Sequence, residues 1–326
     1  MTKWLIHGDP HLKISHLLTA REFFTWIKRV ASEYDVKGII NLGDLFDTHG
    51  VVRAEVQGEY REFLNNRGKL TYIHILGNHE CFKPNDARYH ALQPFIERND
   101  NDYHVVDRPM IIEDMGFVPY IHDASNFPDL DAEIVFAHQT FLGSDFGHFR
   151  PEEGVDPESL RAELIYSGHI HTRQNVGKVR YVGSPIPYGV NDADQTKGIV
   201  IFDTETLKET FIPSPFPSWR SLTIDLATPN ALECLVLGVN KTDNWVVDVV
   251  GPRLEVAEFL DSKAVSAIRK TIKVRFRSKT TDSGKEKVSI KAMSIPDMIV
   301  EYIEKIYAGN IDKELLKAET LKLIGE

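Results

Sequence analysis

Five short motifs place metal-ligating residue types in the first half of the chain: Asp9-Pro10-His11, Gly43-Asp44-Leu45-Phe46-Asp47, Gly77-Asn78-His79-Glu80, His138 on its own, and Gly168-His169-Ile170-His171. They contribute three Asp, one Asn and five His, enough ligands for two adjacent ions. Asp9 and His11, two apart on an extended segment, point to the same side and can share one ion. The two carboxylate oxygens of Asp44 can bridge two ions, and Asn78 offers a neutral oxygen. His138 and His169 can complete a second site, and His171 can close the first. Nitrogen and oxygen ligands without thiolate suit Mn²⁺, Fe or Zn²⁺ better than Ca²⁺ or a structural Zn²⁺. Two ions about 3.5–4 Å apart form a clamp for phosphate ester cleavage, in which a metal-bound hydroxide attacks phosphorus in line. His79, not needed as a ligand, is placed to protonate the leaving oxygen or to stabilise charge on the phosphate. Glu80 either orients His79 or is a surface carboxylate. Asp47 reads as a supporting or turn residue, and His49 as a phosphate contact or a solvated loop histidine. The remaining histidines, His148 among them, lack ligand spacing and read as packing or surface.

A lone Asp-x-His or His-x-His is more often structural than functional, and an isolated Gly-Asp-x-x-Asp is usually a turn. What distinguishes these five is placement. Lys3–His7, Lys37–Leu42 and Leu70–Leu76 are short apolar runs that read as buried strands. Helical spacing over Thr19–Tyr34, with Thr19 as the cap, and over Arg53–Asn66 places helices between them. Such alternation predicts a mostly parallel, doubly wound sheet. Beyond residue 100, short strands joined by turns predict a second sheet packed on the first. Each motif then falls at the carboxyl end of a strand, where open α/β sheets place their sites.

Ile212-Pro-Ser-Pro-Phe-Pro-Ser218 is a proline-rich connector and the strongest domain boundary. After it comes a small α+β module with strands expected at Ser221–Leu226, Trp245–Val250 and Thr271–Phe276, and helices near Asn230–Leu237 and Leu254–Ser262. Ser278–Ser289 reads as a mobile loop. Two amphipathic segments, Pro296–Tyr307 and Asp312–Ile324, follow. Composition is that of an ordinary globular protein, with no membrane-length apolar run and no secretion signal at the start. Two cysteines, Cys81 and Cys234, cannot form a disulfide framework, and a reducing cytoplasm fits them. The chain carries −10, which argues against nucleic acid. Yet Lys263–Lys291 holds ten basic and two acidic residues, a net of +8, leaving −18 on the rest. Alternation over Thr271–Arg277 puts Lys273, Arg275 and Arg277 on one strand face that could lie along a duplex backbone. The alternative is a solvated charged face.

These residues resemble the calcineurin-like metallophosphoesterase superfamily, whose signature of D-x-H, G-D-x-x-D, G-N-H-[DE], H and G-H-x-H is complete here. The resemblance implies an α/β fold, a four-layer sandwich of two β-sheets flanked by helices. It implies one ion on Asp9, His11, Asp44 and His171, a second on Asp44, Asn78, His138 and His169, and His79 as the catalytic histidine. Protein phosphatases share G-N-H-E but follow their second motif with Asp-Arg-Gly, where Asp47-Thr48-His49 stands here. One departure is Gly8, where the superfamily commonly has Ser before the first Asp.

Gly43-Asp-Leu-Phe-Asp-Thr48 and Tyr181-Val-Gly-Ser-Pro-Ile-Pro187 narrow the resemblance to the SbcD family. These are nuclease subunits of Mre-eleven-type complexes in DNA repair and recombination, with phage relatives. That implies a Mn²⁺-dependent exonuclease with endonuclease capability, with Mg²⁺, Fe or Zn²⁺ as alternatives. Its partners would be DNA, an SbcC-like SMC-type ATPase and a second copy of itself, with no membrane. The implied order is a nuclease domain over 1–213, a DNA-contacting cap over 219–277, a basic linker over 278–294 and partner-binding helices over 295–326. Two other functions remain open: a small-molecule phosphodiesterase or phosphatase on the same scaffold, and a non-catalytic scaffold whose metal is structural. The basic module argues against the former, and His79, a spare histidine at the metal edge, against the latter.

Overall fold

In a computed structural model the residues described are 2–47, 49, 51–83, 86–96, 101–147, 149–281, 303 and 312–317. Two six-stranded sheets face each other. In the first, Lys3–His7, Gly38–Asn41, Thr71–Ile75 and Tyr103–Val106 run parallel in that order, and Gly198–Asp203 and Lys208–Pro213 extend it antiparallel beside Lys3–His7. In the second, Val179–Tyr181, Leu164–Gly168, Ile134–His138 and Met115–Val118 run parallel, edged by the antiparallel Gln174–Val176 and Met110–Ile112. Three of the strands expected in the second sheet, at 103–106, 198–203 and 208–213, therefore belong to the first. The pairing of 103–106 with Thr71–Ile75 and of 198–203 with Lys3–His7 is long-range, which local patterning cannot reveal, and 208–213 follows 198–203 as its antiparallel neighbour.

Alternation along the first strand sorts its residues between two cores. Leu5 faces the helices Leu17–Glu33 and Ala54–Asn65, packing among Phe23, Phe24, Ile27, Tyr60 and Phe63. Trp4 and Ile6 face the second sheet, packing with Ile40, Ile73, Phe117, Phe136 and Tyr166. The second sheet's outer face, around Val135, Ile165 and Val179, is covered by loop residues such as Phe141, Val155 and Leu160 and by the short turns Ala124–Asn126 and Pro157–Ser159. Among the described residues, this outermost layer is irregular chain rather than helix.

The first long helix starts at Leu17, after a 3₁₀ turn, with His16 at the cap and no side-chain bond there. Thr19 is thus inside the helix and not its cap. Beyond the prolines, Trp219–Asp225, Asn244–Gly251 and Val274–Thr280 form an all-parallel three-stranded sheet. It packs the helices Ala231–Gly238, Arg253–Asp261 and Lys263–Thr271 on a core of Ile224, Leu235, Val247, Val249, Val256 and Val265. The helix at Lys263–Thr271 is additional to those expected. The last strand runs to Thr280, so Ser278–Thr280 are strand rather than the expected loop, and the remainder of that loop lies from residue 282 outside the described residues. Most of the linker and of the two terminal amphipathic segments lies outside the described residues. Within 312–317, the Asp312 side chain accepts the N–H groups of Glu314 and Leu315 and caps a helical turn. No helix among the described residues is long and apolar enough to cross a membrane.

Candidate metal centre

The motifs converge where the parallel strands of both sheets end. The strand Lys3–His7 delivers Asp9 and His11, Gly38–Asn41 delivers Asp44, and Thr71–Ile75 delivers Asn78 and His79. His138 is the last residue of Ile134–His138, and His169 follows Leu164–Gly168. Backbone bonds lock the first two loops side by side: Asp9 N–H donates to Gly43 O at 3.0 Å and His11 N–H to Asp44 O at 3.0 Å. The extended segment expected at Asp9 and His11 is not found. Both are left-handed, with φ of 53° and 42°, and they converge because the chain turns sharply there. Asp44 and His169 share this conformation, with φ of 52° and 78°.

Three clusters result, each with its ligand atoms within 4.8 Å of one another: Asp9, His11 and His171; His11, Asp44 and His79; Asp44, His138 and His169. Asn78 joins the last, its Oδ1 lying 3.1 Å from His138 Nε2 and 2.9 Å from His169 Nδ1. His11 Nε2 and His171 Nε2 meet at 2.9 Å. The glycines of the motifs permit this crowding. A Cβ on Gly43 would lie 2.5 Å from His138 Nδ1, and one on Gly168 2.9 Å from the same atom.

The two aspartates divide their oxygens. Asp44 Oδ1 accepts the His79 N–H at 2.8 Å, and Asp9 Oδ1 accepts the His169 N–H at 2.8 Å. Asp44 Oδ2 faces His138 Nε2 at 3.4 Å and His11 Nε2 at 3.7 Å. Asp9 Oδ2 is buried without a hydrogen-bond partner among the described residues. One oxygen of each carboxylate holds a neighbouring motif's backbone, and the other points into the site.

Charge is finely balanced. Burial opposes ionisation of Asp44, but His138 beside it holds its carboxyl well below the usual range. Burial likewise opposes protonation of His138, yet Asp44 and then Asp9 lift it to about 9. Burial pushes Asp9 up and His11 well down, and burial together with His138 brings His169 down to about 3. His138 Nδ1 donates to the Leu42 carbonyl at 2.7 Å, which aims Nε2 at the other ligands.

Glu80 is neither a brace for His79 nor a surface carboxylate. It is 1% exposed, and it accepts the N–H groups of Asp44 and Gly77, each at 2.9 Å, and of Phe46 at 3.0 Å. It ties the second motif to the third. Burial, with Asp44 nearby, pushes it up to about 8. His79 is oriented instead by Asp47, whose backbone carbonyl accepts from Nδ1 at 3.0 Å. The Asp47 carboxylate meets Lys13 Nζ at 3.2 Å and His11 Nδ1 at 3.7 Å. His49 donates from Nδ1 to Asn78 O at 3.0 Å and stacks on the His79 ring at 4.3 Å. His148 lies outside the described residues.

Of several further neighbours, only Ser184 draws attention in the sequence, as a support for the site or the start of a turn. Lys197 is 6% exposed and donates to His171 O at 2.9 Å and Ser184 Oγ at 2.8 Å, while Asp192 pairs with it at 2.7 Å. Ser184 N–H also donates to His171 O at 3.1 Å, so the Gly-Ser-Pro segment anchors the last ligand loop. Tyr120 lies 5.5 Å from the His169 ring. Phe146, Asn191 and Gln195 line the cleft of about 290 Å³ over Asn78 and His79. None has a spacing signal, since loops of distant sequence bring them in.

On the basic module the expected face exists, with Lys273, Arg275 and Arg277 all exposed. Arg277, however, donates two hydrogen bonds to the Asp248 carboxylate, at 2.6 and 3.0 Å, which offsets its charge. Lys273 sits 5.2 Å over the Trp219 ring.

Residues 3–173 match the family profile described as calcineurin-like phosphoesterase. Exonuclease subunit 1 of enterobacteria phage T4 is 27% identical over 232 residues, which cover 64% of this chain and 66% of the phage protein, just short of two thirds of its length. A subunit of nuclease SbcCD from Bacillus subtilis is 22% identical, covering 89% of this chain and 88% of that protein. Nuclease MPE of Pseudomonas putida is a solved structure with 18% identity and a TM-score of 0.31, covering 54% of this chain and 66% of its own, a likeness too distant to carry an argument.

Proposed function

Because the chain belongs to the calcineurin-like phosphoesterase family, we propose that it is a two-metal DNA nuclease, an exonuclease with endonuclease capability. The observation that carries the two-metal site is the convergence of three adjoining clusters of candidate ligands, two of which share Asp44 and two His11. The donors fit divalent ions: they are nitrogen and oxygen, two buried carboxylates need positive charge, and Asp9 Oδ2 is an orphaned buried atom. Asp9, His11, Asp44 and His171 would hold one ion, and Asp44, Asn78, His138 and His169 the other, with Mn²⁺ the best match. When bound, such ions supply Lewis acidity at the phosphate and a nucleophile at neutral pH.

The chain's own residues do the rest. Asp44 is common to two clusters and would be shared by the two ion sites. The Asp47 backbone carbonyl accepts a hydrogen bond from His79 Nδ1–H, which turns Nε2 toward the cleft, where it can give a proton to the leaving oxygen or stabilise charge on the phosphate. Distance alone does not separate His79 from the ligands, since it shares a cluster with His11 and Asp44. Its tether to Asp47 and its stacking on His49 give it a different role from theirs. Lys273 and Arg275 would contact the DNA backbone, with Arg277 held by Asp248.

Relatives named as an exonuclease subunit and as part of nuclease SbcCD support DNA as substrate and a complex as the working form. We take an SbcC-like ATPase as partner, a homodimer as assembly and the cytoplasm as location. The decisive experiment is degradation of linear duplex DNA with Mn²⁺ by wild type and His79→Ala. Loss of cleavage with retained ion binding is expected. Unchanged cleavage would overturn the role of His79. Intact DNA alongside turnover of a small phosphodiester would overturn the nuclease reading.

A further inference from the structure

We propose that Phe146 and Phe149 form a stacking platform for an unpaired nucleobase at the mouth of the metal centre. This rests on the nuclease reading and specifies the form in which DNA enters. Phe146 lines the cleft with Asn78, His79, His169 and His171, and sets its ring edge-on to His169, with centroids 5.8 Å apart at 90°. Phe149 lies parallel to Phe146, 4.7 Å away at 8°, and is 51% exposed. The pair thus continues the wall of the cleft outward and presents aromatic surface to solvent beside the reacting centre.

On either side of residue 148 the loop is tied down by its own hydrogen bonds. Its neck is closed by Leu142 N–H donating to Val155 O at 2.9 Å and Val155 N–H donating to Thr140 O at 3.0 Å. Gln174 clamps Asp145 at two points: its Nε2 donates to Asp145 O at 2.6 Å, and its Oε1 accepts Asp145 N–H at 2.8 Å. Phe146 N–H donates to Phe149 O at 3.0 Å, and Gly147, at φ 89°, makes the turn between the rings. Aromatic rings fixed in advance gain contact at low entropic cost. Across the cleft, Thr172, Asn191 and Gln195 supply polar groups, and Gln195 Oε1 is buried without a partner among the described residues. The site therefore pairs an apolar ring face with polar groups, as the base and sugar of one nucleotide require.

Stacking on an aromatic is indifferent to sequence because every base has a π-face. A base inside a duplex has both faces covered, and exposing it costs a few kcal/mol. The platform therefore suits a single-stranded or frayed strand end over an intact duplex.

The test is binding, in EDTA, of a single-stranded oligonucleotide carrying 2-aminopurine near its end, whose emission falls on stacking. Wild type should bind and quench. Phe149→Ala and Phe149→Leu should bind roughly tenfold or more weakly without quenching, and Phe149→Trp should retain both. Phe149→Leu keeps apolar bulk without a π-face, so wild-type binding by that variant overturns the platform. So does an unquenched base in a strand bound by the wild type, a measurement independent of any variant's folding. A wild type that neither binds nor cuts oligonucleotides overturns the nuclease reading, and the platform with it. One that binds and cuts while all variants match it overturns the platform alone.

Discussion

Two glycine-to-alanine substitutions should act in opposite directions, for reasons visible in the space around each Cα. At Gly77 an added Cβ would overlap Asp44 Oδ1 and lie 2.5 Å from Asp44 N and 2.9 Å from Glu80 Oε2. The first two atoms are held in place: Asp44 N–H donates to Glu80 at 2.9 Å, and Asp44 Oδ1 accepts His79 N–H at 2.8 Å. Relief to ordinary contact requires the second and third motifs to part by roughly an ångström. Overpacking of that kind costs about 1–3 kcal/mol of stability. A misplacement of about 1 Å between catalytic groups costs on the order of 10²-fold in rate. At Gly58, in the exposed middle of the helix Ala54–Asn65, an added Cβ meets nothing within 4 Å. There the substitution should stabilise by about 0.5–1 kcal/mol, because alanine loses less backbone freedom on folding. Urea melts of the metal-free proteins measure the first quantity, and Mn²⁺-dependent turnover of a small phosphodiester the second. Gly77→Ala within about 0.5 kcal/mol of wild type, the range of an inert surface change, would refute the packing argument. Rates unchanged in Gly77→Ala would refute the coupling of the two motifs.

The other predictions rest on charge. Burial holds His7 down to about 3 in the folded chain, so below about pH 6.5 only the unfolded chain takes up the proton. Stability should then fall by about 1.4 kcal/mol per pH unit from about pH 6.5 toward 3 and be level above it, and urea midpoints should show a shallower slope for His7→Gln. Neutralising Lys273 and Arg275 together should reduce the slope of log affinity against log salt by roughly 1.8, and Arg277→Gln by clearly less, with anisotropy titrations as the check. Asp9→Asn can keep the bond to His169 N–H while replacing the orphaned Oδ2, whereas Asp9→Ala loses both and leaves that N–H unpaired at about 1–3 kcal/mol. The asparagine variant should therefore be as stable as wild type without metal and lose the thermal shift on adding Mn²⁺; equal destabilisation of both variants in EDTA would count against the division of oxygens.

The sequence carried the ligand types because each ends an apolar run, and all but His138 lie next to a glycine or within two residues of a second ligand. The first three strands, at Lys3–His7, Gly38–Asn41 and Thr71–Ile75, were legible for the same reason, since buried parallel strands are continuously apolar. Sheet membership of Tyr103–Val106 and Gly198–Asp203 was not, because pairing over long separations leaves no local trace. Glu80 was misplaced for a related reason. A glutamate beside a histidine looks like its partner, but here three backbone N–H groups, two of them more than thirty residues upstream, satisfy it. Arg277 kept its expected face and lost its expected freedom to Asp248, a residue on the neighbouring strand.

Backbone conformation links the fold to the chemistry. Of the ten non-glycine residues with positive φ among those described, four are candidate ligands: Asp9, His11, Asp44 and His169. Left-handed backbone costs an L-residue roughly 1–2 kcal/mol, and it persists only where surroundings over-determine it. Here the constraint comes from the ligands themselves. Asp9 and Asp44 each use Oδ1 to hold the backbone of the motif beside them, His169 and His79 respectively. The His11 N–H in turn holds the Asp44 carbonyl at 3.0 Å. The loops therefore fix one another through the chain's own hydrogen bonds, while the second carboxylate oxygens and the imidazoles are left facing inward. The strain at the four left-handed residues is thus held by these bonds between motifs, at the place where the two sheets bring the strand ends together.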